Sequence, residues 1–283
     1  MSRFQVSIGG KWLHTYLNSD KRFKGRVWVE DIQYAEPSIK RTIETAGDAD
    51  GGIITKTYRE KASVTVLFNV LTWDPVERYD AIEAIRTLAS KGGTILTSNR
   101  PKRALFNAVC ETLPEITSSK DRTGELSMTF SSWAFPYWQD AADPTPSTLT
   151  GTNTSMSVSV PGNAPRAKCW VEITANESII TPGNKINLSG PTIDITVGNT
   201  TIYLMYLFEK NNYIIIDTDA NDNLRVRVYN NNTSNKKLIA SGIDLTHPTS
   251  SDKLVAIPGK SNTFKIRANK KISAKLYVRG AWL

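Results

Sequence analysis

Residues 62–93 read ASVTVLFNVLTWDPVERYDAIEAIRTLASKGG, and the period of the apolar residues changes inside this stretch. Up to Leu71 they alternate, so that Val64, Val66, Phe68 and Val70 fall on one face of an extended chain. After Trp73 the spacing becomes helical. Asp74 stands as an N-cap, and Pro75 takes the first helical position, where its missing N–H costs nothing. Glu77 completes an Asp version of the capping box. Tyr79, Ile82, Ile85 and Leu88, with Ala89, recur at helical spacing. Lys91 suits the negative end of the helix dipole, and Gly92-Gly93 stop the helix. The stretch predicts a strand followed by one amphipathic helix, about 75–90, laid against a sheet.

Outward from it the chain is period two almost everywhere. Leu126, Met128 and Phe130 alternate in GELSMTF, Val226 and Val228 alternate with Arg225 and Arg227, and KISAKLYV and NTFKI read as strands. FQVSIGGKWL fits an opening strand and turn. Gly9-Gly10, Asp50-Gly51-Gly52, Asn99-Arg100-Pro101 and Asn221-Asp222-Asn223 are turn signals. From Gln139 the chain runs QDAADPTPSTLTGTNTS, which has linker chemistry. The expected organisation is an N-terminal α+β domain over 1–140, a linker over 141–156 and an all-β sandwich over 157–283, mainly β with one helix. No internal repeat relates the halves.

Charged residues are 22% of the 283, and apolar residues are 40%, which is the balance of a folded chain and not a disordered one. The longest uncharged apolar stretch, Thr200 to Phe208, is far short of the ~20 residues of a membrane span. The N-terminus has no apolar h-region, so neither a signal peptide nor membrane insertion is expected. Cys110 and Cys169 allow one disulfide, but without a secretory signal two free thiols are favoured. The net charge is +8, carried mostly by the second half. Its basic residues are dispersed apart from Lys236-Lys237 and Lys270-Lys271, which favours a solvated surface over a nucleic-acid patch.

Chemistry is sparse, and no catalytic residue, cofactor or metal is expected. His14 and His247 are isolated. Gly259-Lys260-Ser261 lacks the upstream Gly of a phosphate loop, Leu254 standing there, and a strand follows where the motif needs a helix. Asp217, Asp219 and Asn221 have calcium-loop spacing. Asp222 and Val228 replace the required Gly and Glu, however, which leaves an Asp/Asn hairpin turn favoured over a weak open ion site. Glu172, Glu177 and Glu209 are the only glutamates of the second half, few for a glycosidase pair. Trp133, Phe135, Tyr137 and Trp138 crowd into SSWAFPYW. With no polar set interleaved they read as rings packed between domains or subunits in preference to a ligand platform.

Several stretches, taken in order, resemble the siphophage distal tail protein family. In the first half these are GDADGG, a strand pair ending in VTVLFNV, the capped helix, Gly93-Thr94-Ile95-Leu96, SNRPKRALFNAV and GELSMTFSSWAFPYW. In the second they are VPGNAPRAKCWVEI, IIIDTDANDNLRVRVYNN and AIPGKSNTFKI, with Trp282 near the close. Arg166-Ala167-Lys168 departs from the resemblance, which often has another Pro there. The resemblance implies a ring, hexameric in the family, formed by the N-terminal domains, with C-terminal galectin-like β-sandwiches outside it. It implies as partners other copies of the chain, the tail tube protein, the tail-associated tip protein and receptor-binding proteins. Phage DNA would cross the channel without specific binding, and the protein would sit at the distal end of the virion tail after assembly in the host cytoplasm. The segment 94–111, with Arg100, Pro101, Lys102 and Arg103 at its tip, is then a candidate arm between subunits. Without the resemblance it reads as a plain surface hairpin.

A carbohydrate-binding adhesion protein is the alternative. It needs a concave face with exposed Trp or Tyr beside Asn, Arg and Glu, whereas Trp170 and Tyr203 sit in strong strand patterns and are expected to be buried. A cell-wall-degrading enzyme is disfavoured by the sparse glutamates.

Overall fold

A computed structural model describes residues 4–19, 26–45, 53–114, 116–120, 123–178, 192–219 and 221–283. GDADGG and the Asp50-Gly51-Gly52 turn lie outside the described residues. The chain divides into two compact units, Met1–Ala142 with Leu283, and Asp143–Trp282.

In the first unit the elements follow as β1 (Val6–Ile8), β2 (Lys11–Trp12), α1 (Leu13–Asn18), β3 (Arg26–Ala35), β4 (Ile39–Glu44), β5 (Ile53–Arg59) and β6 (Ala62–Leu71). After them come α2 (Pro75–Ser90), β7 (Gly93–Thr97), β8 (Arg103–Thr112), β9 (Ile116–Lys120), β10 (Thr123–Ser132) and β11 (Trp138–Asp140). Strands pair antiparallel in the order β2-β1-β7-β8-β10-β6-β3, with β9 on β10 and β11 on β8. The alternation read in the sequence sets the register: Phe68 faces Leu126 and Val29, Val66 faces Met128 and Ile32, and Val64 faces Phe130. All are buried, each such side chain contributing ~1.5–3 kcal/mol. On the same strands Ser63 and Ser131 satisfy each other at 2.8 Å.

Helix α2 starts and stops where its sequence says. Asp74 Oδ1 accepts from Val76 N at 2.8 Å, and Gly92 adopts φ +56°, where an added Cβ would collide with the Ala108 carbonyl oxygen. Ile82, Ile85, Leu88 and Ala89 are buried, and α2 packs on β6, β8 and α1. Two details differ from expectation. Tyr79 is 64% exposed and Arg78 is buried in its place, because the apolar stripe is completed by the small residues Ala81 and Ala84. A second, short helix, α1, follows the opening strand and turn, burying Leu13 and Leu17 one turn apart.

Among the described residues, the elements of the second unit are all strands apart from one short 3-10 turn, Ile243–Leu245. Its strands are β12 (Ser147–Ser159), β13 (Ala167–Ala175), β14 (Ile193–Val197), β15 (Thr200–Leu204), β16 (Tyr213–Thr218), β17 (Leu224–Tyr229), β18 (Leu238–Ser241), β19 (Val255–Ala256), β20 (Ser261–Val278) and β21 (Ala281–Trp282). The order is β15-β14-β20-β13-β16-β17-β18, with β12 on β20 and β19 on β13. The long β20 joins two halves of a sandwich-like arrangement, its first part pairing β14 and its last part β13. Ala167, Cys169, Val171, Ile173 and Ala175 point inward against Ile272, Ala274 and Leu276.

The linker expected at 141–156 is a strand over most of its length. Residues 147–156 belong to β12, which pairs along β20 and shifts register between Gly151 and Asn153. Only Leu149 is buried, so the segment has the composition of a surface loop while its backbone is held in a sheet.

The motifs of the second half join chain segments. In VPGNAP, the Ala281 carbonyl oxygen accepts from Asn163 N and Ala164 N, and Gly162 at φ +125° leaves no room for a Cβ beside it. In IPGKSN, Asn262 Oδ1 accepts from Ile257 N at 2.7 Å while its Nδ2 donates to the Ile257 and Lys260 carbonyls. Gly259 N donates to Val160 O, so the two loops hold one another. Arg166 ion-pairs with the buried Asp222, which also accepts from Lys253 Nζ at 2.6 Å.

Candidate interaction surfaces

β4 and β5 form a two-stranded ribbon that, among the described residues, pairs with no other strand. Its sequences, IKRTIE and IITKTYR, carry the β-branched residues of a strand but bury almost nothing. Ile43 faces Ile54 across the ribbon, Ile43 being 60% exposed and the neighbouring Ile53 69%, and Ile39 and Tyr58 are exposed as well. The base is clamped: Glu60 N donates to Ser38 O, Ser38 Oγ donates to Glu60 Oε2 at 2.7 Å, and Arg59 reaches the Pro37 carbonyl. A fixed base under a ribbon that exposes its isoleucines and, among the described residues, has no further strand on its edges is what a segment made to pair with another chain looks like.

The segment 94–111 does not form an arm. β7 and β8 lie inside the main sheet, and their turn folds back. The Arg100 guanidinium carbon stands 3.9 Å from the Tyr34 ring centre and 5.5 Å from that of Trp138. Tyr34 Oη bonds Thr97 and Asn99, and burial raises its pKa against the opposing pull of Thr97 and Arg100. The SSWAFPYW rings are core in this unit. Phe135 meets Tyr137 edge-on at 5.0 Å, and Tyr34 meets Trp138 at 5.3 Å. Trp133 alone is exposed, with Lys61 Nζ 4.9 Å from its ring.

In the second unit the outward residues of β13, β16, β17 and β20 build a polar and aromatic face. Trp170 and Tyr203, expected in the core, are only part-buried, and on β13 Cys169 and Val171 take the inward positions on either side of Trp170. Trp170 stacks on Tyr277 across the strands, ring centres 5.0 Å apart and planes within 2°. Glu172 accepts from Tyr277 Oη at 3.0 Å and also bonds Tyr213, whose pKa is raised by burial first and this carboxylate second. Arg227, Ile215, Glu172 and Lys275 lie in one cross-strand row. Asp217 takes Arg225 at 2.7 Å and Arg227 at 2.6 Å. Burial lowers the Lys168 pKa, opposed by Asp222 and Asp217.

The calcium-spaced residues make a turn. Asp219 Oδ1 accepts from Asn221 N and Asn223 N, and these bonds, Asn223 foremost, lower its pKa. Asp217 is committed to its arginines. Among the described residues no group of His, Cys, Asp and Glu could hold a metal ion. His14 and His247 bond the neighbouring Thr15 and Thr249, and Gly259-Lys260-Ser261 turns into β20. Cys110 and Cys169 are both free thiols.

Two units of this make, one strand-rich around a single long helix and one sandwich-like, give the fold of a bacteriophage tail hub protein. One solved structure with this fold is that of the SPP1 Dit (gp 19.1) protein, described as a paradigm of the hub adsorption apparatus in phages infecting Gram-positive bacteria. The likeness has a TM-score of 0.64 at 15% identity over 99% of each chain. Two structures of the phage P2 baseplate in its activated conformation, with Ca and with Sr, match at TM-scores of 0.46 and 0.44 and 12% and 11% identity. Each covers 98% of this chain, and 98% and 97% of the other. No protein-family model and no curated protein matches the chain.

Proposed function

We propose that this chain is a structural, non-enzymatic component of a bacteriophage tail tip. In this reading it self-associates into a closed ring, hexameric by its resemblance, that joins the tail tube to the host-adhesion apparatus at the distal end of the virion. The observation that carries the reading is the end-to-end fold likeness to a tail hub protein, over 99% of both chains. The free β4–β5 ribbon supports it. A cyclic ring needs two different patches on each subunit, and a ribbon with open edges supplies one of them. The tube protein, the tail-associated tip protein and receptor-binding proteins are its partners in this reading, and DNA crosses the ring without specific contacts.

Negative-stain imaging and light scattering of the purified chain test this. The expected result is a ring with a central hole and a mass several times that of one chain. A particle that stays monomeric in both measurements, at concentrations up to about 100 times those of dilute assays, overturns it.

A further inference from the structure

We propose that the outer face of β13, β16 and β17 is a saccharide-binding site, with one hexopyranose ring seated against Trp170. Such a site is independent of ring assembly and is detected by a different measurement.

A depression of about 260 Å³ opens on this face, lined by Lys168, Trp170, Glu172, Ile215, Asp217 and Arg227. Tyr277 stacks on Trp170 and the Arg279 guanidinium carbon stands 6.0 Å from its ring centre, and neither lines the depression, so the indole reaches it already braced. The electron-rich face of an indole attracts the weakly positive C–H face of a pyranose for the same reason that it attracts a cation.

Hydroxyls ringing such a sugar need paired donors and acceptors. Glu172 offers a carboxylate acceptor and Arg227 and Lys168 offer donors, all on rigid strands. The polar groups are already oriented by their own bonds: Glu172 by Tyr277, and Asp217 by Arg225 and Arg227. The Arg227 Nε is buried with no hydrogen-bond partner, a donor left over in the wall of the depression. A second depression of about 240 Å³, lined by Glu172, Thr174, Tyr213, Asn232, Ser273 and Lys275, adjoins through Glu172. A glycan of more than one residue would therefore extend from the first depression into the second. A part-buried Trp beside Arg and Glu lines this face, where the sequence pattern alone placed the ring inside.

The test is saturation-transfer NMR on the intact chain with glucose, galactose and N-acetylglucosamine, each at about 10 mM, since single-site affinity for a monosaccharide is on the order of 1 mM. At least one should receive saturation. Glu172→Gln, which keeps shape and packing, should weaken binding about tenfold by removing a charge-assisted acceptor. Trp170→Ala should abolish it. Val109→Ser, in the other unit, should leave it unchanged. If no hexose receives saturation, or if Glu172→Gln binds as tightly as the parent, the proposal falls. Should Trp170→Ala fail to fold, Glu172→Gln alone decides between these outcomes.

Discussion

Arg100 lies flat against Tyr34, its guanidinium carbon 3.9 Å from the ring centre, and so ties the β7–β8 turn to β3. Tyr34 is held in turn by Thr97 and by its edge-on contact with Trp138, so one planar cation closes a cluster drawn from three distant parts of the chain. A half-buried cation–π contact of this kind contributes ~0.5–2 kcal/mol. Arg100→Ala should lower the urea midpoint by an amount corresponding to ~1–2 kcal/mol. Arg100→Lys should lose about half of that, because an ammonium keeps the charge but not the plane. An unchanged midpoint for Arg100→Ala would mean that the turn holds itself.

The buried stripe of α2 is Ile82, Ile85, Leu88 and Ala89, with Tyr79 outside it. Replacing Ile82 and Ile85 with Ala should cost ~2–5 kcal/mol each and remove most soluble protein. Tyr79→Ser should stay within about 0.5 kcal/mol of the parent, as an exposed position does. Thermal melts of the two variants separate these cases. A large loss from Tyr79→Ser would place that ring against a neighbour the isolated chain lacks.

The helix is legible in the sequence because its signals are local. Asp74, Pro75 and Gly92 each act within one turn of where they stand, so sequence and structure agree on its ends. The strands β6 and β10 are legible for the same reason, their alternating Val64, Val66, Phe68 and Val70, and Leu126, Met128 and Phe130, all being buried. β12 is not: it exposes nearly all its side chains, and only its backbone pairing to β20, a non-local fact, makes it a strand. The Trp170 face is readable in principle. The odd-numbered residues from Ala167 to Ala175 are small or branched and apolar, so the even-numbered Lys168, Trp170, Glu172 and Thr174 have to point out together. The size of the tryptophan suggests burial, and its parity overrides that suggestion. The ribbon has strand composition, but its separation from the sheet depends on which partners are absent, and no local pattern carries that.

Cys169 is fully buried among β-strands, its Sγ donating to the Leu254 carbonyl at 3.2 Å, and burial pushes its thiol up from 9.0 to about 12. The native state holds this proton where the unfolded state releases it, so the stability it provides is complete below pH 9.0. That stability declines as pH climbs from about 9 to about 12. Cys169→Ala should flatten the fall in stability over that window, by up to about 1.4 kcal/mol per pH unit at its steepest. A thiol reagent at about pH 8 should modify the half-exposed Cys110 slowly and leave Cys169 untouched until the chain is unfolded. Equal rates for the two would show that the second unit opens locally.

The proposed ring gives the β4–β5 ribbon a role that can be tested. Ile43 and Ile54 face one another on β4 and β5, and Ile53 and Ile39 stand exposed beside them, with no other strand of the described chain to receive them. In the isolated chain these exposed side chains contribute only their cross-strand contact, ~0.2–1 kcal/mol, so changing them should move the melting temperature of the monomer little. In a ring each isoleucine taken fully from water contributes ~1.5–3 kcal/mol to the interface. A carboxylate in the same place adds a desolvation cost. Ile43→Glu together with Ile54→Glu should therefore weaken self-association by at least about 100-fold, since every 1.4 kcal/mol is a factor of about ten. The shift would be seen as a ring-to-monomer change in light scattering at a fixed concentration. Ile43→Val with Ile54→Val should retain the ring, because the ribbon keeps its β-branched, apolar edge. If the double glutamate variant still forms rings at the parent's concentration, the ribbon is not the interface and the subunits meet through another surface, Trp133 and Val109 being the next exposed apolar positions to test.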